Sequence, residues 1–142
     1  MKAHKIVLDT NVIVSALRSS EGASHSLLMA LEDPRLKVYL SVTLVLEYES
    51  VLKRSSTGIR LNSVEKDAVL DYLCQVGIRQ KVHFLWRPFL KDPSDDMVLE
   101  LAVAAGADKI VTFNQVDFKG VEKFGIKAVR PQDILKLLGD IS

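Results

Sequence analysis

In Lys5-Ile6-Val7-Leu8-Asp9-Thr10-Asn11 a largely apolar run of strand length, Lys5–Leu8, stops abruptly on a carboxylate. A run this short bounded by turn-forming polar residues reads as a strand buried on both faces. Outward from it, the chain alternates strand-like and helical stretches. Val12–Leu17 and Ala23–Leu31 read as helices, Leu36–Leu40 as a strand, and Ser41 or Thr43 as the cap of a helix reaching about Lys53. Ser63–Val76 carries Val69, Leu70, Leu73 and Val76 on one face and meets Gly77 as a stop. Lys81–Trp86 reads as a third strand. Asp92-Pro93 opens the clearest helix, which ends at Gly106. Lys109–Phe113 and Ile126–Val129 supply two more strands, and Pro131–Leu138 a closing helix stopped by Gly139.

Five strands with helices between them predict an α/β fold. The expectation is a three-layer α/β/α sandwich on a mostly parallel central sheet of about five strands. At 142 residues one domain, 1–142, accounts for the chain. Arg54–Asn62, polar and Ser/Gly-bearing, reads as a mobile surface loop. There is no repeat and no low-complexity stretch.

The composition excludes several classes. Nineteen Lys+Arg face 18 Asp+Glu, a formal net charge of +1, so neither a disordered acidic tail nor a polybasic arm is present. That balance leaves no basic footprint of the kind nucleic-acid binders carry. The lone Cys74 cannot form an intrachain disulfide and reads as a small apolar filler of its helix. Met1–Lys5 leads into too short an apolar run for a signal peptide, and no stretch reaches the roughly 20 apolar residues of a membrane span. A cytoplasmic protein without membrane contact is the expectation.

In a doubly wound sheet, ligands bind beyond the carboxyl ends of the strands. That directs attention to Asp9-Thr10-Asn11 and to the residues after Phe113. Asp9 fits two roles there, a functional carboxylate or an N-cap, and Asn11 could also cap. On a wheel advancing about 100° per residue, Asp95 lies with Val98, Leu99 and Ala102, whereas Asp96 and Glu100 form a solvated face. Asp95 therefore points inward, while also suiting the first turn behind an Asp92 cap. Asp92 and Asp96 read as cap and surface. Glu47 and Glu49 flank the Leu44/Tyr48/Val51/Leu52 stripe symmetrically, and periodicity does not choose between them. Asp117 follows a strand, as a functional acid or an Asx-turn residue.

Several carboxylates brought to one sheet edge, without Cys or paired His, repel one another by about 4 kcal/mol per close pair at an effective dielectric of 20. They take up protons or collect a divalent cation, and all-oxygen ligation favours Mg²⁺ or Mn²⁺ over zinc. Such an ion suits phosphodiester hydrolysis.

These stretches resemble the PIN-domain ribonucleases, which include the VapC-type toxins of toxin–antitoxin pairs. The resemblance runs through Leu8-Asp9-Thr10-Asn11-Val12, Ser41–Tyr48 with Val51-Leu52, and Asp92-Pro93-Ser94-Asp95-Asp96 with Leu99-Glu100-Leu101-Ala102. It continues through Ala107–Thr112 to Asn114 and Asp117-Phe118. It implies an acidic site of Asp9, Glu47, Asp95 and Asp117, choosing Glu47 over Glu49. Thr10, Asn11, Thr112 and Asn114 would support it, Thr112 by positioning the acidic loop. Many members carry aspartate where this chain has Asn114, a neutral oxygen donor, so one-metal and two-metal chemistry both stay open.

The implied activity is Mg²⁺- or Mn²⁺-dependent hydrolysis of single-stranded RNA, with Asp9 and Asp95 at the ion and Glu47 and Asp117 holding its water. Implied partners are an RNA substrate, a protein antitoxin and a second copy of the chain in a homodimer, which the Ser63–Val76 helix permits.

A haloacid-dehalogenase-like phosphatase needs a second Asp where Asn11 stands. A receiver domain needs an acidic pair before its first helix and a lysine after its last strand, and neither is evident. A catalytically inactive PIN-like module binding RNA or protein is the remaining alternative. His4, His25 and His83 lack metal-ligand spacing. Trp86, Phe113 and Phe118 suit core packing, with base stacking as the functional alternative. The basic residues Arg79, Lys81, Arg87, Lys91, Lys53, Arg54 and Arg60 read as a solvated face or as an RNA-contact surface.

Overall fold

A computed structural model describes residues 3–83 and 89–139. Its elements are β1 (His4–Leu8), α1 (Thr10–Arg18), α2 (Ala23–Met29), β2 (Leu36–Leu40), α3 (Val42–Leu52), α4 (Ser63–Val76) and β3 (Ile78–Arg79). There follow α5 (Pro93–Ala105), β4 (Lys109–Val111), β5 (Lys127–Val129) and α6 (Pro131–Leu137). The strands form one sheet in the order β3-β2-β1-β4-β5, every pair parallel. Helices complete the three-layer α/β/α sandwich: α5 lies against β1, β2 and β4, and α2 packs against α1 and α6. Buried on both faces, β1 is apolar throughout its second half: Ile6, Val7 and Leu8 are at most 2% exposed.

The strand order places the reversal of winding between β1 and β4. From β1 the chain proceeds outward to β2 and β3, then returns to the other side of β1 with β4. Register pairs Leu8 with Val111, so the next residues, Asp9 and Thr112, leave the sheet side by side at its carboxyl edge. The crevice at such a reversal is where open α/β sheets bind ligands.

Helix termini follow the expected chemistry. Ser41 caps α3 by accepting from the Leu44 N–H at 3.1 Å, and Asp92 caps α5 by accepting from the Ser94 N–H at 2.9 Å. Asn62 and Glu65 close a reciprocal capping box on α4.

Three expectations need correction. The third strand is Ile78–Arg79; Lys81–His83 carry no regular structure, and the rest of the expected Lys81–Trp86 strand lies outside the described residues. Cys74 is exposed, so it fills no core space. The Arg54–Asn62 loop lies on the surface but is tied down: it folds a 3₁₀ turn at Ser55–Thr57, buries Thr57, and receives a hydrogen bond from Arg18 Nε on the Thr57 carbonyl. Gly77 stops α4 as expected, with extended backbone (φ −82°). Its requirement is steric: a Cβ there would lie 2.5 Å from Leu40 Cδ1 and 2.7 Å from the Leu73 carbonyl oxygen. No helix among the described residues is long and apolar enough to cross a membrane.

Gly77→Ala is therefore expected to destabilise the fold by about 1–3 kcal/mol through overpacking. Denaturant unfolding checks this, and an unchanged midpoint would mean that β3 can move away from the helix end.

Candidate functional site

Asp9 occupies the N-cap position of α1, yet its side chain makes no capping hydrogen bond. Its carboxylate turns across the sheet edge, where Oδ2 accepts from Thr112 Oγ1 at 2.8 Å. Asp9 is 8% exposed and Thr112 is fully buried. Burial pushes the Asp9 carboxyl up; the Thr112 hydroxyl and the Thr10 backbone N–H oppose that rise, and the charges of Asp117 and Asp92 add to it.

Thr112 uses its hydroxyl twice. While donating to Asp9 it accepts the backbone N–H of Asn114 at 3.0 Å. This fixes the chain as it turns into a 3₁₀ segment, Gln115–Phe118, whose Phe118 is fully buried. Asp117, exposed and one residue before that anchor, is thereby presented to the crevice. Asn11 stitches the same edge, its side-chain oxygen accepting the Phe113 N–H at 3.4 Å. Thr10 and Asn11 also face a neighbouring hollow of about 360 Å³ that Arg18 and Arg54 line.

Asp95 comes from the first turn of α5, half-buried as the helical wheel predicts, with Val98, Leu99 and Ala102 buried behind it. It shares a cavity of about 600 Å³ with Asp92 and Asp117. Partial burial, then the charges of Asp9, Asp92, Asp117 and Asp96, push its carboxyl up to about 7. Three aspartates named from sequence thus meet, Asp9 at the sheet edge and Asp95 with Asp117 in the cavity. Asp92 joins them while also capping α5.

Glu47, the fourth acid that the resemblance implies, comes from another helix. It is half-buried on α3, beside Tyr48, whose hydroxyl donates to the Leu8 carbonyl. Glu49 has a separate role, 3.5 Å from Lys53, which also meets Asp67 at 3.2 Å. Among the described residues, the side chains as they stand close no set of three or more metal-ligating groups.

Two contributions were missed. Asp96 is more than a solvated residue, because its Oδ1 accepts the backbone N–H groups of Phe89 (3.1 Å) and Leu90 (2.9 Å) and holds the segment entering α5. Asp92 faces the cavity, where only a capping role was expected. The six residues Asp92–Met97 place three acids in the first turn and a half, and that density was the available signal. Of the aromatic residues, Phe118 belongs to the core, Phe113 is 42% exposed, and Trp86 lies outside the described residues. An apolar groove of about 580 Å³ between α2 and α4 matches the acidic cavity in size, but Glu32 is the sole carboxylate lining it. Chemistry, not volume, singles out the cavity beside Asp95.

A parallel α/β sandwich with carboxylates gathered where its winding reverses defines a class of acidic-site proteins with oxygen donors. A profile of the PIN domain matches residues 5–116, and the chain belongs to the PIN-domain family, a family of nucleases. The match takes in Asp9, Glu47, Asp95, Thr112 and Asn114 and stops one residue before Asp117. Among solved structures the chain is similar to VapBC2 from Rickettsia felis bound to a DNA fragment from its promoter. The TM-score is 0.60 and the identity 15%, over 89% of this chain and 98% of that one. At that identity the likeness is one of fold. No curated protein sequence matches the chain.

Replacing Thr112 by Val leaves a buried carboxylate without its donor and the Asn114 N–H without its acceptor. A loss of about 1–3 kcal/mol is expected near neutral pH, shrinking in acid where Asp9 carries a proton; thermal melts across pH test this. Asp95 has the opposite sense. The folded chain holds its proton to about 7, whereas the unfolded chain releases it near 3.8. Stability contributed at Asp95 is thus full in acid and is lost as pH rises through that window. In EDTA, Asp95→Asn should match wild type near pH 4 and become the more stable protein by pH 8. A gap that narrows as pH rises would contradict the electrostatic account.

Proposed function

We propose that this chain is an endoribonuclease that hydrolyses single-stranded RNA with Mg²⁺ or Mn²⁺, as the toxin of a toxin–antitoxin pair. The observation that carries the reading is the gathering of Asp9, Asp92, Asp95 and Asp117 at the winding reversal, with Asp95 pushed up to about 7 by burial and its acidic neighbours. Such a site favours a proton or a cation in its midst. The donors are carboxylate oxygens, with no Cys or His among the described residues lining the cavity, which suits a hard divalent ion. When bound, that ion would supply Lewis-acid stabilisation of charge at phosphorus and ease the deprotonation of water.

The chain's own residues divide the remaining work. Asp9, fixed by Thr112, and Asp95, on the first turn of α5, would hold the ion. Asp117, on its exposed 3₁₀ turn, would orient the attacking water and receive its proton. Glu47 stays in the proposal as a fourth acid from α3, and Glu47→Gln tests it separately. Asn114 contributes a backbone N–H to Thr112 and a neutral side chain, so it adds no charge to the site.

A protein antitoxin and a second copy of the chain are the proposed partners. This rests on family membership together with the fold likeness to VapBC2, a toxin–antitoxin assembly.

Incubation with single-stranded RNA and Mn²⁺ should give cleavage that EDTA stops. Asp9→Asn and Asp95→Asn should each reduce the rate about 100-fold or more while melting cooperatively. Isothermal titration with Mn²⁺ should show binding that either substitution weakens. Undiminished cleavage by a folded Asp9→Asn protein would sink the assignment. A folded protein with no carboxylate-dependent Mn²⁺ binding would instead support an inactive RNA- or protein-binding module.

A further inference from the structure

The acidic cavity has an apolar and cationic rim. Besides Asp95 and Asp117, it is lined by Phe89, Lys91, Val116 and Lys119. Phe89 is 37% exposed and Val116 78% exposed, so two large apolar side chains face solvent at the mouth of a charged cavity. Lys91 and Lys119 are exposed too, and among the described residues neither forms an ion pair despite the aspartates nearby.

The aromatic ring is held in place. Phe124 meets it edge-on at 5.4 Å between centroids and 76° between planes, and Lys123 Nζ lies 5.1 Å from its centre. Gly120 has a positive φ of 97°, and a Cβ there would come within 3.2 Å of Phe89 Cζ, so glycine leaves the space that the ring uses. Asp96 fixes the backbone on which the ring sits, and the next residue, Leu90, is buried as an anchor. An exposed ring immobilised on several sides has little entropy left to lose on contact with a ligand.

We propose that Phe89, Lys91 and Lys119 read the substrate: an unstacked nucleobase packs against Phe89, and the phosphates on either side are met by Lys91 and Lys119. This deepens the ribonuclease reading and rests on it. Aromatic rings beside cations are the usual means of holding single strands, because every base has a flat face and every linkage a negative charge. Carboxylates on the floor repel the same backbone, so the rim lysines supply the attraction that brings the strand over them. A duplex hides its bases from Phe89, which selects for single-stranded substrate.

Fluorescence anisotropy with a short 5′-labelled single-stranded RNA, in EDTA to prevent turnover, tests the proposal. Phe89→Ala should raise Kd about tenfold, Phe89→Trp should restore it, and an abasic site in the strand should erase the difference between them. Lys91→Ala with Lys119→Ala should weaken binding for every base composition and reduce the slope of log K against log salt by about 1.4. In Mn²⁺ the Phe89→Ala defect should fall mainly on KM. If wild type binds and cleaves RNA while Phe89→Ala, melting like wild type, binds equally well, the rim assignment is overturned and the nuclease reading stands. If wild type neither binds RNA in EDTA nor cleaves it in Mn²⁺, both readings fall; cleavage in Mn²⁺ without binding in EDTA overturns the rim assignment alone.

Discussion

The hydrogen bond from Thr112 Oγ1 to Asp9 Oδ2 joins the carboxyl ends of two parallel strands at the one point where the sheet reverses its winding. Both groups are almost wholly removed from water, and a carboxylate so placed requires a donor. Thr112 is that donor because register pairs Leu8 with Val111 and leaves the following residues adjacent. The same hydroxyl accepts from Asn114, which starts the turn that seats Phe118 in the core and leaves Asp117 outside it. Strand register, the direction of one side chain and the placement of a second acid are therefore parts of one arrangement. A slip of one residue between β1 and β4 would undo all of them.

The second constraint is charge that the fold does not neutralise internally. Asp33 shows the alternative, since Arg35 grips it at 2.7 Å and holds its carboxyl down at about 2. Asp108 is likewise paired, with Lys109 at 2.8 Å. Among the described residues Asp95 forms no ion pair, and the charges that push its carboxyl up are those of neighbouring aspartates. A fold that pairs Asp33 and Asp108 with cations but gathers mutually repelling carboxylates at the winding reversal is less stable at neutral pH than it could be. Residues kept at such a cost mark sites of chemistry.

Local chemistry made much of this legible in sequence. Asp9 was visible because it ends an apolar run, and the Asp92-Pro93 start of α5 because cap and proline occupy adjacent positions. Asp95 separated from Asp96 because helical periodicity assigns each residue a direction. What escaped was set by contacts distant in sequence. β3 is two residues long at the edge of the sheet with both side chains exposed, so it leaves no burial pattern. Asp96 accepts from backbone six and seven residues upstream, which no periodicity encodes. Cys74 lies on a helix whose buried stripe is narrow, Leu70 and Leu73, and an apolar residue beside that stripe need not enter it. Glu47 differs in kind: symmetry of the wheel left it level with Glu49, and the resemblance alone selected it.

Near-neutrality of the whole chain acquires a different meaning once charge is placed in space. Setting Asp9, Asp92, Asp95 and Asp117 aside leaves 14 acids against 19 Lys and Arg, an excess of five positive charges over the rest of the surface. A polyanion approaching this protein meets attraction around the cavity and repulsion at its floor until a cation reverses the latter. The separation is sharpest at the mouth, where Lys91 and Lys119 stand beside Asp95 and Asp117 without pairing with them. Net charge alone argued against a nucleic-acid partner because it averages over this partition. A binder that relied on charge alone would need a larger excess. An immobilised aromatic ring lowers that need, since stacking on a base adds attraction that salt does not screen.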